Sequence, residues 1–212
     1  MKLKNCVIFC AGGFSGLLEP VASSDFVIAA DGGFAHTQKL GITPDAVLGD
    51  FDSLGFVPEK AVTFPAEKDD TDAMLAVKLG LREGCDRFLL YGSLDGPRLD
   101  HTVANLQTLS YLADQGKHGY LIGTHQIVTL LEGETLVFPK TAKGCLSVFA
   151  WEGEAVGVSL RGVKYALEDG LLQPGFPLGV SNQFLGKAAT VSLQKGRLLM
   201  IWGKESPLPT RG

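Results

Sequence analysis

The 212-residue chain predicts two folds in series: a doubly wound, mostly parallel α/β sheet with helices over residues 1–125, then an antiparallel β-sandwich over 126–212. Three observations lead there. Short, continuous apolar runs alternate with helix-period segments in the first part, which is how strands covered on both faces read. Past residue 126 the runs follow one another with glycine and proline between them and no long helical pattern. Acidic residues gather directly after two of the early runs, at the strand ends where open α/β sheets bind ligands.

Taken in order, the first-part strands are expected at 6–11, 26–30, 46–48, 62–64 and 88–91. A short helix over 34–40 is closed by Gly41, a residue suited to a left-handed cap. A second helix over 71–82 places Met74, Leu75 and Leu79 on one side with Lys78 at its margin. A third over 99–113 steps through Leu99, Val103, Leu106 and Leu109, one apolar stripe. The alternation of strand and helix is the grammar of a doubly wound domain. In the second part, strands are expected at 126–131, 135–138, 145–151, 155–160, 190–193 and 198–202, and the polar tail 205–212 is expected to fray.

Composition narrows the function. Hydrophobic residues make up 45% and charged residues 20%, a globular rather than a disordered balance. A formal net charge of −4 argues against an extended nucleic-acid surface, which needs clustered Lys and Arg. The apolar run before Gly12-Gly13 is too short for a secretory leader, and no run approaches membrane-spanning length, so a cytoplasmic protein is expected. Four cysteines without a Cys-x-x-Cys pair suit small buried hydrophobes in a reducing compartment.

Four elements carry chemistry. Asp31 follows the second strand in Ala30-Asp31-Gly32-Gly33. Asp50 and Asp52 follow the third in Gly49-Asp50-Phe51-Asp52-Ser53; two apart on extended chain, they face one way and repel unless a cation lies between them. Magnesium fits that need, since it takes a few carboxylates and keeps room for water and phosphate, although the same residues also make a good acidic turn. Lys68-Asp69-Asp70-Thr71-Asp72 opens the second helix. Asp70 is assigned the N-cap, leaving Asp72 to face the sheet edge and Lys68 to meet phosphate. Last comes Gly92-Ser93-Leu94-Asp95-Gly96-Pro97-Arg98-Leu99-Asp100-His101, a glycine-rich turn into the third helix, in which Arg98 offers phosphate a two-pronged grip. Asp100 lies in that helix's first turn, and His101 follows it. The early turn around Gly12 and Gly13 is a weaker phosphate-loop candidate without the Walker Lys-Ser/Thr.

In this order the four elements resemble those of the thiamine pyrophosphokinase family, whose pattern runs Ala-Asp-Gly-Gly, Gly-Asp-x-Asp-Ser, Asp-x-Thr-Asp and Gly-Gly-Arg-x-Asp-His. Pro97 departs from it by replacing the second glycine of the last element. Fainter matches follow at Gly162-Val163-Lys164-Tyr165 and Gly179-Val180-Ser181-Asn182. The resemblance implies transfer of a diphosphoryl group from ATP to the hydroxyl of thiamine, giving thiamine diphosphate and AMP. It also implies a homodimer whose site is shared between subunits. The roles expected under it are as follows. Asp50, Asp52 and Asp72 hold Mg2+. Asp31 and Asp100 complete the acidic catalytic edge. Gly12, Gly13, Lys68, Arg98 and His101 meet the nucleotide, while Tyr165, Ser181 and Asn182 meet thiamine. Two rival readings remain at this point: a magnesium phosphohydrolase or phosphotransferase with another small substrate, and a non-catalytic nucleotide or thiamine sensor.

Overall fold

The computed structural model describes residues 4–49, 61–63 and 69–212, the middle stretch as backbone alone. Asp50, Asp52 and Lys68 lie outside the described residues. The chain divides into two compact units, Met1–Thr124 and His125–Gly212.

In the first unit, β1 (Asn5–Phe9), β2 (Phe26–Ala30), β3 (Ala46–Gly49), β4 (Ala61–Thr63), β5 (Arg87–Tyr91) and β6 (His118–Ile122) are all parallel, in the order β6-β5-β1-β2-β3-β4. Strand β6 was not anticipated, because His118 and Gly119 break its apolar run. The chain builds outward from β1 in one direction through β2 to β4, then returns to its other side for β5 and β6. That reversal opens a crevice at the carboxyl ends of β1, β2 and β5, the place such sheets bind ligands.

The helices cover the sheet with different faces from those the periodicity predicts. Helix α1 (Phe34–Leu40) is closed by Gly41 at φ 65°, as expected. Helix α2 (Asp72–Arg82) buries Ala73, Ala76, Val77 and Gly80, leaving Met74, Leu75 and Leu79 half-buried. Small residues let it lie close to the sheet: a Cβ on Gly80 would stand 2.6 Å from Cys6 Sγ and 2.7 Å from a Phe88 ring carbon. Its N-cap is Thr71, whose hydroxyl accepts the Met74 N–H at 3.2 Å. Asp70 instead clamps Lys78, Nζ to Oδ2 2.6 Å, so the capping role expected of Asp70 belongs to its neighbour. In α3 (Leu99–Asp114) the buried face is Asn105, Thr108, Leu109 and Leu112, while Leu99 is 76% and Val103 47% exposed. The stripe faces the core only in the helix's middle, because its first turn stands at the crevice rim.

The second unit is antiparallel. Strands β7 (Gln126–Leu131), β8 (Thr135–Phe138), β9 (Cys145–Arg161), β12 (Ala189–Ser192), β13 (Lys195–Gly203) and β14 (Thr210–Arg211) run in the order β14-β8-β12-β9-β13-β7. Strands β10 (Leu167–Leu172) and β11 (Asn182–Gln183) pair with β9 off that path. The two strands expected at 145–151 and 155–160 are one, β9, which changes partners along its length. Leu146–Trp151 pairs with β13, and Ser159–Arg161 with β12. Left-handed Glu152 (φ 61°) and Gly157 (φ 69°) bend it between these stretches. Rings from β8 and β13, which are not sheet neighbours, meet edge to face inside: Phe138 and Trp202 centroids lie 5.4 Å apart. The tail does not fray. Strand β14 pairs with β8, and Arg211 holds Glu134, Thr129 Oγ1 and the Leu130 carbonyl.

Candidate active site

A pocket of about 300 Å³ lies at the carboxyl ends of β1, β2 and β5, within the first unit. Of the residues assigned from sequence to nucleotide or catalysis, Gly12, Asp31, Asp72, Arg98 and His101 line it. Each arrives on a different local device. Asp31 leaves β2 in a left-handed conformation, φ 47°, and opens the tight turn Asp31–Gly33. A non-glycine residue held there stores of order 1–3 kcal/mol of strain, which clusters at functional positions. Glycines let that turn approach its neighbours. A Cβ on Gly33 would overlap the Phe9 carbonyl, and one on Gly49 would stand 3.2 Å from Asp31 Cα. The residue that precedes Asp50 in sequence therefore packs against Asp31.

Asp72 enters from the first turn of α2, beside its Thr71 cap, and both line the pocket. Cys10, at the end of β1, lines it as well. Burial first, and then the nearby Asp72 carboxylate, push the Cys10 thiol up to about 12. Cys10 is thus a neutral, apolar wall at physiological pH rather than a thiolate.

The turn between β5 and α3 is pinned from several sides. Ser93 Oγ donates to the Leu90 carbonyl (2.7 Å), buried Asn105 Nδ2 to the Ser93 carbonyl (2.7 Å) and Thr102 Oγ1 to the Leu94 carbonyl (3.2 Å). The Asp95 carboxylate accepts the Thr124 N–H. Ser93 and Asp95 belong to the glycine-rich element read from sequence, though without these roles, and Asn105, Thr102 and Thr124 were not singled out. A polar Asn at an otherwise apolar helix position was the available signal for Asn105. Pro97 lines the pocket next to Arg98, so the departure from two glycines is built into the wall.

Arg98 and Asp100 form a fork: Nη2 to Oδ2 2.5 Å and Nε to Oδ1 3.2 Å. The guanidinium holds the Asp100 carboxyl below its usual range, and Asp100 in turn raises Arg98. Both side chains are largely exposed, 65% and 63%, so the pair is weakly held and a phosphate competes for the same donors. Asp100 itself does not line the pocket, and neither does Gly13. The amide of Gly12 donates to the Gly92 carbonyl at 2.9 Å. It is not presented to an anion, so this turn is not a phosphate loop in the usual sense.

Among the described residues, no group of three or more His, Cys, Asp and Glu is disposed to hold a metal ion. The described member of the expected donor set, Asp72, is a carboxylate, the oxygen chemistry that magnesium takes, and Asp31 lines the same pocket.

In the second unit a smaller pocket of about 160 Å³ is lined by Tyr165 and Asn182 among leucines, including Leu160, Leu167 and Leu172. Tyr165 is 60% exposed, and Lys164 Nζ stands 5.3 Å from its ring centroid. Asn182 is buried, and its side chain serves Tyr165: Oδ1 accepts Tyr165 N–H (2.9 Å) and Nδ2 donates to the Tyr165 carbonyl (2.7 Å). Ser181 takes a left-handed conformation, φ 61°, with its N–H on Ser147 Oγ, and does not line this pocket.

Comparison with known proteins places the two units in one family. Residues 18–121 match the family described as thiamin pyrophosphokinase, catalytic domain, and residues 133–198 match thiamin pyrophosphokinase, vitamin B1 binding domain. The thiamine pyrophosphokinase of Bacillus subtilis (strain 168) is 28% identical over 183 residues, covering 82% of this chain and 85% of that protein. A crystal structure of the Bacillus subtilis thiamine pyrophosphokinase superposes with TM-score 0.81 at 26% identity, covering 93% of this chain and 98% of that one. A thiamin pyrophosphokinase family protein from Enterococcus faecalis superposes with TM-score 0.78 at 27% identity, covering 94% and 98%. The thiamin pyrophosphokinase from Candida albicans, at 15% identity over 95% and 89% of the two chains, shares the fold with TM-score 0.73. On two matched domains, four ordered acidic motifs and one common fold, the chain belongs to the thiamin pyrophosphokinase family, enzymes that make thiamine diphosphate from thiamine.

Proposed function

We propose that the pocket at the ends of β1, β2 and β5 takes ATP, and that the chain transfers its terminal diphosphoryl group to thiamine. In this reaction the thiamine hydroxyl oxygen attacks the β-phosphorus. The bond from that phosphorus to the oxygen of the α-phosphate breaks, AMP leaves, and the hydroxyl proton passes to a carboxylate or to water. The observation that carries the reading is that Asp31, Asp72 and Arg98, from three separate sequence elements, line one pocket.

Asp50, Asp52 and Asp72 are proposed to hold Mg2+, which when bound would offset the charge of the phosphates. The remaining roles belong to the chain. Arg98 exchanges the Asp100 carboxylate for phosphate oxygens, and Lys68 supplies a second cation. Asp31 and Asp100, the latter released from Arg98, provide carboxylates to orient or deprotonate the hydroxyl. His101 borders the nucleotide, and Gly12 gives it a floor without a side chain. Holding the hydroxyl in line with the leaving oxygen supplies much of the rate, because an alcohol is a weak nucleophile on its own.

The division of labour follows the two units, with nucleotide chemistry in residues 1–125 and thiamine in 126–212. Tyr165 offers its ring to the cationic thiamine, with Asn182 holding the Tyr165 backbone and Ser181 adding a hydroxyl. A homodimer with a site shared between subunits suits the exposed apolar side chains Leu99 and Val103 on α3 and Phe176, Leu178 and Leu185 in the second unit. No helix among the described residues is long and apolar enough to cross a membrane, and a cytoplasmic location is proposed.

Incubation of the pure protein with ATP, Mg2+ and thiamine tests the reading directly. Mass spectrometry should find AMP and thiamine diphosphate in equal amounts. Inorganic phosphate with ADP would favour the hydrolase, and binding of both ligands without AMP would favour the sensor.

A further inference from the structure

His36 belongs to none of the family's acidic motifs, yet it touches the pocket's backbone. It lies on α1, one turn beyond Asp31, and its Nε2 stands 3.0 Å from the Gly12 carbonyl. A carbonyl only accepts, so Nε2 carries the proton and donates. The imidazole is held in place by a tilted contact with Phe14, centroids 5.1 Å apart. Phe14 in turn meets Phe9 and Tyr91 edge-on, both at 5.9 Å. The other polar group of Gly12, its N–H, is bound to the Gly92 carbonyl at 2.9 Å. One glycine thereby ties the Asp31 side of the pocket, through α1 and His36, to the Gly92–Arg98 side.

We propose that His36 is a positioning residue for the nucleotide: by fixing the Gly12 carbonyl it sets the gap between the Asp31 turn and the turn that carries Arg98. The proposal rests on the reading of this pocket as the ATP site. Without the imidazole, Gly12 is held by its N–H alone, and the Gly12–Gly13 peptide can rotate its carbonyl into the space the nucleotide needs. The deficit therefore falls on ATP and spares thiamine.

Steady-state kinetics of His36→Leu and His36→Gln test this, because glutamine keeps a donor at the ε position. His36→Leu should raise the ATP KM about 5–10-fold, the worth of one hydrogen bond. The thiamine KM should stay within about twofold, and His36→Gln should recover most of the loss. A lowered melting temperature with both KM values unchanged would make His36 merely structural and overturn the proposal. Equal rises in both KM values, or no recovery in the glutamine variant, would overturn it too. The nitrogen-15 shift of His36 in the wild-type protein gives a reading independent of any variant's folding: a protonated Nε2 is required, and a bare Nε2 rules the contact out. The ATP-site reading is separable, since Asp72→Asn must then impair turnover. If it does while His36→Leu leaves the ATP KM unchanged, only the His36 proposal fails.

Discussion

Replacing Gly12 by alanine adds one methyl group at the tightest point of the pocket wall. The new Cβ would stand 2.5 Å from the Gly92 carbonyl oxygen, 3.2 Å from its carbon and 3.3 Å from Gly96 N. All three are backbone atoms, so no side chain can swing aside. Real Cβ atoms do not approach closer than 3.0 Å, so the two loops must part by about 0.5 Å or more, straining the Gly12 N–H bond to Gly92. Overpacking costs about 1–3 kcal/mol, and a weakened hydrogen bond adds about 0.5–1.5 kcal/mol. A total near 2–4 kcal/mol lowers the melting temperature by about 5–12 °C in a chain of this size. Gly80→Ala is the matched control. Its Cβ meets Cys6 Sγ at 2.6 Å under α2, remote from the pocket lining. Both variants should melt early by differential scanning calorimetry, but only Gly12→Ala should also raise the ATP KM, by about tenfold or more. A Gly12→Ala protein that melts and binds ATP like the wild type would show that the two loops do not touch as described.

Three further outcomes are expected. Asp72→Asn should cut kcat by about 100-fold or more while circular dichroism shows the fold intact; near-normal product formation would remove Asp72 from the chemistry. Tyr165→Ala and Asn182→Ala should each raise the thiamine KM and leave the ATP KM alone, because the Asn182 amide acts through Tyr165; equal changes in both constants would separate Tyr165 from thiamine. The Asp100 carboxyl, lowered by Arg98, should titrate below the ordinary carboxylate range by NMR and return upward in Arg98→Ala. A folded-state value below the unfolded one means that this pair stabilises above about pH 4 and is lost as pH falls through the folded value. An Asp100 that titrates alike in both proteins would show the fork absent in solution.

The fold class was legible because parallel and antiparallel sheets write different patterns. Continuous runs such as 26–30 mark strands covered on both faces, and the change after residue 126 marks the antiparallel unit. What escaped did so for physical reasons. Strand β6 is broken in pattern by His118 and Gly119, although both are carried within a paired strand. The inward faces of α2 and α3 were misread because small and polar residues, Ala76, Gly80, Asn105 and Thr108, face the sheet where close approach and turn carbonyls require them. Leucine stripes mark burial only where a helix has something beneath it, and Leu99, the first residue of α3, is exposed. At the site, Asp31 after β2 and Asp72 at the head of α2 were legible as residues of the strand-end crevice. The scaffold behind them was not: His36, Asp95 and Asn105 act through backbone carbonyls and amides distant in sequence, and such contacts leave no periodicity. Thr71 took the capping role from Asp70 because Lys78 already engages that carboxylate.

The central claim is that carboxylates from separate strand ends gather round one divalent ion and the ATP phosphates at the pocket of the first unit. Paramagnetic broadening of the amide NMR spectrum by Mn2+ with a non-hydrolysable ATP analogue measures this. Signals of Gly12, Asp31, Asp72 and Ala73 should broaden first and together. Broadening that spares Asp31 and Asp72, or that centres elsewhere in the chain, would contradict the account.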